Sequence, residues 1–387
     1  MENTLYKLLN ISNKDELKMV SKNIKIPLKR LRYYGENNII PLDEDREKIK
    51  RYLDLNEIEF KLKLGEIDFN LLDLISNHSE EISKIISVSD KKKENEKFKP
   101  SFVSNYGQLF NGDSVELMKS IDSNSVDLIF ADPPFNIGKE YESKIDDKLD
   151  KESYLRWTEK WLSECVRILK PGGSFFIWNL PKWNIFTANY LGQYLTMRHW
   201  ISVDMKYGLP ISGKLYPAHY SLLYYVKGEK PGTFNNERIP LDVCKTCGHE
   251  LKDYGGYKSK MNPNGVNLSD VWNDIYPVRH SKYKTRGSNE LPLKLLDRII
   301  SIASEPGDLI FDPFGGSGTT YIVAEILKRN WIGCEIGPVD NIIKRFTNIE
   351  TEAKQIENIH RKKNQLFLPD IIDIRKRNGY WLPEDFS

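Results

Sequence analysis

The chain has 387 residues, with 40% hydrophobic and 29% charged side chains. That is enough apolar material for one large domain or two to three ordinary ones, and it excludes wholesale disorder. The formal net charge is only +2 and there are four cysteines, so a polyanion must be met by a local patch and a disulfide scaffold is excluded. No apolar run reaches the roughly 18 to 20 residues that cross a bilayer. The opening MENTLYKLLN has no charged stretch followed by a long apolar one, so neither a secretory leader nor a membrane partner is expected and the cytoplasm is the expected compartment.

Residues 1–88 read as a helical module. Leu5, Leu8 and Leu9 form one apolar stripe; Leu17, Val20, Ile26, Leu28 and Leu31 continue it across the polar break 21–25, and 47–55 repeats the pattern. Short helices with tight turns suggest a helix-turn-helix-like arrangement. Residues 1–40 carry eight basic and four acidic side chains, and Lys29, Arg30 and Arg32 sit together. These three are candidate DNA contacts on a helix around Ile26 to Tyr34; a helical interaction domain with a solvated face is the competing reading. Residues 89–104 are charged, lack periodicity and contain Pro100, which reads as a linker.

Strand and helix alternate from residue 105. A strand GQLFNGD, a short helix, the strand VDLIFAD, a long amphipathic helix at 150–170 ended by Pro171-Gly172-Gly173 and the strand SFFIW follow in order. The rhythm breaks at 206–288 and resumes with the helix PLKLLDRIISIA, the strand DLIFD, a helix running to Arg329 and the strand WIGCEI. The fold class expected is α/β, a Rossmann-like, mostly parallel sheet with helices on both faces. The catalytic half is placed at 105–205, an inserted target-recognition region at 206–288, a cofactor-binding half at 289–350 and a C-terminal extension at 351–387.

Two strand ends carry chemistry. The strand DLIFD runs into Asp312-Pro313-Phe314-Gly315-Gly316-Ser317-Gly318-Thr319-Thr320 and then a helix. Glycines there let backbone approach a ligand, and the first N–H groups of the helix face it. Glu335 ends the next strand, 19 residues after Gly316, where an acidic side chain binds ribose hydroxyls. The turn lacks the Lys-Ser/Thr of a phosphate loop, and the match to that pattern at 208–214 opens no helix. The other strand end is Asp132-Pro133-Pro134-Phe135. Its prolines withhold N–H groups and leave carbonyls free. A carboxylate, a carbonyl and an aromatic face together suit a flat base with an exocyclic amine.

The tetrapeptide Asp132–Phe135 followed by DPFGGSGTT resembles the DNA amino-methyltransferases, and the order, catalytic tetrapeptide first and cofactor turn last, resembles their β class. Asn289, Leu291 and Pro292, within NELPLKLLDRII, resemble that class's other cofactor segment. The resemblance implies transfer of a methyl group from S-adenosylmethionine to adenine N6, or alternatively to cytosine N4, of a base turned out of double-stranded DNA. It implies catalysis by Asp132, Pro133, Pro134 and Phe135. Asp132, 312–320 and Glu335 would line the cofactor, with Asp113 a further candidate that serves equally well as a helix cap. Phe135 stands where Tyr is commoner in the family. Asp at the head of the tetrapeptide favours adenine over cytosine. A restriction–modification setting is implied, with a cognate endonuclease and a homodimer as partners it allows. A DNA-binding regulator with a degenerate enzyme fold is the alternative of another class.

Residues 206–286 hold 13 basic and 7 acidic side chains and nine tyrosines. Arg279, His280, Lys282, Lys284 and Arg286 are expected on DNA phosphates. Cys244, Cys247 and His249 supply at most three of the four ligands of a closed zinc site, so no metal is expected.

Overall fold

The computed structural model describes the chain except residues 1–3, 38, 42, 87–97, 139–148, 205–209, 211, 214, 245, 246, 248, 254, 279–289, 363, 364 and 387. It divides into two compact units. One comprises Met1–Asn95 with Lys148–Thr158, the other Glu96–Asp147 with Glu159–Ser387.

The first unit is helical. Its elements are α1 (Thr4–Leu8), α2 (Lys14–Asn23), α3 (Leu28–Asn37), α4 (Asp43–Leu53), α5 (Glu57–Leu64), α6 (Phe69–Asn77) and α7 (Ser79–Ile85). Asn13 caps α2 by accepting the Asp15 and Glu16 amides, and Asn56 with Glu59 closes a capping box on α5. The apolar stripes meet in one cluster around Tyr6, Leu17, Ile26, Leu31, Ile49 and Phe60. Gly35 belongs on α3 because a Cβ there would stand 2.3 Å from the Tyr6 ring. Arg30 is not a free surface cation. Its guanidinium forks onto Asp45 of α4, with Nε 2.5 Å and Nη2 2.7 Å from the carboxylate oxygens, and the Asp45 side chain is 3% exposed. Lys29 and Arg32 are exposed, as is Arg30 at 48%, and Arg32 lies 3.8 Å from Glu36.

The second unit is the α/β fold. In chain order it contains β1 (Phe102–Val103), β2 (Gly107–Asn111), α8 (Ser114–Lys119), β3 (Val126–Ala131), α9 (Lys151–Ile168, whose residues to Thr158 group with the first unit), β4 (Leu169–Asn179), α10 (Pro181–Leu191), β5 (Thr196–Asp204), β6 (His219–Val226), β7 (Arg238–Ile239), β8 (Val266–Asn267) and β9 (Val271–Trp272). Then follow α11 (Leu293–Ala303), β10 (Leu309–Asp312), α12 (Thr319–Ile326), β11 (Asn330–Glu335), α13 (Asp340–Phe346), α14 (Ile349–Arg361) and α15 (Pro369–Arg377). Nine strands form one sheet in the order β1-β2-β11-β10-β3-β4-β6-β5-β9. The run from β2 to β4 is parallel throughout, and β6 is antiparallel to both β4 and β5.

Two element ends differ from the sequence reading. The Pro171-Gly172-Gly173 segment lies inside β4 instead of ending the helix before it. The β3–β4 register shifts there, and Gly172 N–H donates to the Lys227 carbonyl while Lys227 N–H donates to Gly173. An irregular strand that lacks one proline N–H still finds a partner in the chain directly after the neighbouring β6. α12 stops at Ile326 because Lys328 turns to φ 59° and the Arg329 guanidinium folds back on the Leu327 and Ser304 carbonyls.

Candidate active site

The adjacent strands β3 and β10 pair through Leu128 with Ile310 and Ile129 with Phe311. From β3 the chain crosses to β4 on one side; from β10 it crosses to β11 on the other. A parallel sheet opens a crevice at the carboxyl ends of strands whose connections part in this way. Asp132 follows β3 directly, Asp312 ends β10 and Glu335 ends β11. The fold therefore brings the tetrapeptide and the glycine turn, separated by about half the chain, to one edge of the sheet.

Asp312 organises the turn. It is 2% exposed. One carboxylate oxygen accepts the Phe314 amide at 2.9 Å and the other the Thr320 hydroxyl at 2.5 Å. Burial pushes its carboxyl well above the ordinary range; those hydrogen bonds pull the other way, and the charges of Asp132 and Glu335 add to the rise. Asp132 and Glu335 thus add acidic charge around Asp312. Glu335 accepts the Gly316 amide on Oε2 and the Gly337 amide on Oε1, both at 2.7 Å. Each of its oxygens keeps a further acceptor position for a hydroxyl.

The glycines divide by role. At Gly315 a Cβ would meet the Tyr321 hydroxyl at 2.8 Å and the Cys334 carbonyl at 3.0 Å; at Gly318, with φ +77°, it would meet Ile342 at 2.6 Å. Packing within the protein is by itself enough to require glycine at these two. Gly316, at φ 54° and half-buried, turns its amide onto the Glu335 carboxylate. Ser317, Thr319 and Thr320 are buried, and their hydroxyls turn inward. Thr319 donates to the Leu291 carbonyl at 3.2 Å and lies 3.1 Å from the Ser317 hydroxyl. Pro313 is buried, and Phe314 packs edge-on to Trp161 with ring centroids 5.1 Å apart. Pro292 stands at the N-cap of α11.

In the tetrapeptide, Pro133 is buried and Asp132, Pro134 and Phe135 are half-buried. The Phe135 carbonyl accepts the Trp183 indole N–H at 2.6 Å, and its ring lies 6.2 Å from that of Tyr220, which packs at 4.8 Å on Trp178. Asp113 caps α8, accepting the Val115 and Glu116 amides at 2.8 and 3.1 Å. That is the cap its sequence context allowed. Asn289, Arg279, His280, Lys282, Lys284 and Arg286 lie outside the described residues. His249 stacks on Tyr380, and among the described residues no group of three or more His, Cys, Asp or Glu is placed to hold a metal. No helix of the described residues is long and apolar enough to cross a membrane.

Sequence reasoning missed Arg345 on α13. Its side chain is 4% exposed and donates to the Ser317 carbonyl at 2.7 Å and the Thr319 hydroxyl at 3.0 Å, while Glu352 holds its other edge at 2.6 and 2.9 Å. It missed Trp183 as well. Only a buried arginine flanked by acidic residues, seen in three dimensions, would have pointed to the first.

A family model described as DNA methylase matches residues 126–343. Type II methyltransferase M.BamHI of Bacillus amyloliquefaciens is 51% identical over 376 residues, covering 96% of this chain and 89% of that protein. The chain belongs to the DNA methylase family. DNA adenine methyltransferase YhdJ of Escherichia coli (strain K12) is 33% identical over 59% of this chain and 78% of its own length. The solved structure of PvuII DNA methyltransferase (cytosine-N4-specific) covers 68% of this chain and 97% of its own at 21% identity, with a TM-score of 0.49. The methylase acts on DNA and takes its methyl group from S-adenosylmethionine. A cationic sulfonium suits the acidic charge that Asp132 and Glu335 add around Asp312, and a ribose diol suits the open acceptor positions of Glu335.

Proposed function

We propose that the methylase transfers the methyl group to the exocyclic amino nitrogen of a base extruded from DNA, adenine N6 being favoured by Asp132 at the head of the tetrapeptide. The observation that carries this reading is the adjacency of β3 and β10, which supports a common crevice for Asp132 and the Gly316 turn. When bound, S-adenosylmethionine supplies an electrophilic methyl on a positively charged sulfur. Glu335 would hold its ribose, and the backbone at Gly316 would border its amino-acid portion.

The Asp132 carboxylate and the Pro133 carbonyl would each accept one N–H of the base amine. Both bonds draw electron density toward the nitrogen, pyramidalise it and aim its lone pair at the methyl carbon. Alignment of this kind is worth up to about 7 to 11 kcal/mol in favourable systems. A methylated, positively charged amine is a strong acid, so its surplus proton passes to the Asp132 carboxylate and on to water without a strong base. Phe135 would stack on the extruded ring, and Trp183 fixes the backbone that carries it. The carboxylate and carbonyl read only the amine, which cytosine N4 also presents. The relative named as an adenine methyltransferase supports adenine.

The resemblance to a protein named as a Type II methyltransferase supports a place as the modification half of a restriction–modification pair, with an endonuclease of the same site specificity as counterpart. The test is incubation with methyl-labelled S-adenosylmethionine and DNA that carries no methylation, followed by digestion to nucleosides. Label in N6-methyldeoxyadenosine is expected. Label in N4-methyldeoxycytidine overturns the choice of base and keeps the site; label in neither overturns the site.

A further inference from the structure

Extruding a base leaves a gap in the stack one base thick, about 3.4 Å along the strand. An apolar side chain that enters the gap recovers part of the lost stacking. Such a side chain must be exposed beforehand and must stand beside the pocket that receives the base.

Leu215 meets the first condition, and its connection leaves the sheet on the side where the tetrapeptide does. At 94% it is the most exposed large apolar side chain among the described residues. It lies in the connection between β5 and β6, which leaves the sheet at Asp204 and re-enters at His219, the two paired across the ladder. That edge is also where β4 ends, since Asn179 pairs with Ser221, and where β3 ends, since Ala131 pairs with Ile177 of β4. The Leu215 connection and the tetrapeptide therefore emerge from the same side of the sheet. Tyr220 anchors the return by packing on Trp178 and facing Phe135 across 6.2 Å. Tyr220 is five steps along the chain from Leu215, so their Cα atoms lie within about 18 Å of each other. Ser212, Gly213 and 215–219 are all exposed, so among the described residues Leu215 is not part of the core.

We propose that Leu215 is the wedge that enters the duplex as the target base leaves it, occupying the vacated position while the base sits between Asp132 and Phe135. The inference rests on the extrusion reading of the function.

The test compares wild type, Leu215→Ala and Leu215→Met on two substrates. One is the paired duplex that wild type methylates; the other is the same duplex with an abasic position opposite the target base. On the paired duplex Leu215→Ala is expected to lose about tenfold or more in kcat/KM, because unstacking costs a few kcal/mol. On the abasic-partner duplex, whose target is already unpaired, the loss should shrink to about twofold. Leu215→Met should stay close to wild type on both. Thermal unfolding of all three should coincide, since the side chain is exposed. Equal losses on the two substrates, or no loss on either, overturns the wedge. A wild-type chain that labels no DNA at all removes the extrusion reading and the wedge together.

Discussion

At the residue scale, Asp132 and Glu335 both act through space on the buried Asp312. Asp132 is assigned to the base amine, while its charge also adds to the acidic surroundings of the cofactor. Asp132→Ala should therefore still bind S-adenosylmethionine by calorimetry, weakened by the loss of that one charge, and lose methyl transfer by about a hundredfold or more, a size typical of a group that acts in the transition state. A variant with near-normal turnover contradicts the assignment. Asp312 offers a pH test. Its folded pKa is raised above the ordinary 3.8, chiefly by burial. Below 3.8 both folded and unfolded chains hold the proton, so its ionisation costs folding nothing. As pH rises the unfolded chain ionises first, and the folded chain loses stability until the raised pKa is passed. Asp312→Asn keeps an acceptor for the Phe314 amide and cannot ionise. The difference in Tm between variant and wild type should therefore grow in the variant's favour as pH rises from about 4 toward neutrality; a difference that does not move with pH contradicts the direction of the shift.

At the element scale, each strand end is set by a partner far along the chain. Trp183 on α10 ties down Phe135, and removing its N–H leaves a carbonyl without that donor, a cost of about 1 to 3 kcal/mol where the group is buried. Trp183→Phe should keep the ring's packing and lower kcat about tenfold with little change in cofactor affinity, measured by single-turnover transfer and calorimetry. An unchanged kcat would show that the tetrapeptide holds its shape without the indole. This is also the scale at which the sequence became hard to read. The alternation of strands and helices, the tetrapeptide and the glycine turn are local patterns and were legible. The Pro171-Gly172-Gly173 stop was misread because a breaker dipeptide looks alike before a strand and inside one, and only the pairing with Lys227 distinguishes them. The jobs of Gly315 and Gly318 depend on Tyr321 and Ile342, and that of Arg345 on Ser317 and Glu352, contacts that spacing alone does not announce.

At the scale of the whole molecule, a net charge of +2 leaves DNA affinity to local basic groups. The helical unit separates two kinds of cation that look the same in the sequence. Lys29 is exposed, whereas Arg30 is tied to the buried Asp45. If the unit meets phosphates, Lys29→Ala should weaken DNA binding and reduce the slope of log affinity against log salt by about one, leaving Tm unchanged. Arg30→Ala should instead lower Tm, because the Asp45 carboxylate loses its guanidinium, and should leave the salt slope alone. The reverse pattern would contradict the division. The central claim is that one crevice at the parting of β3 and β10 holds both the methyl donor and the base. A crystal structure with DNA and a non-transferring cofactor analogue tests it most directly. The account predicts the analogue against Gly316 and Glu335, with a base nitrogen between Asp132 and the Pro133 carbonyl and about 3 to 3.5 Å from the analogue's methyl-equivalent atom; an analogue or a base seated elsewhere on the sheet would contradict it.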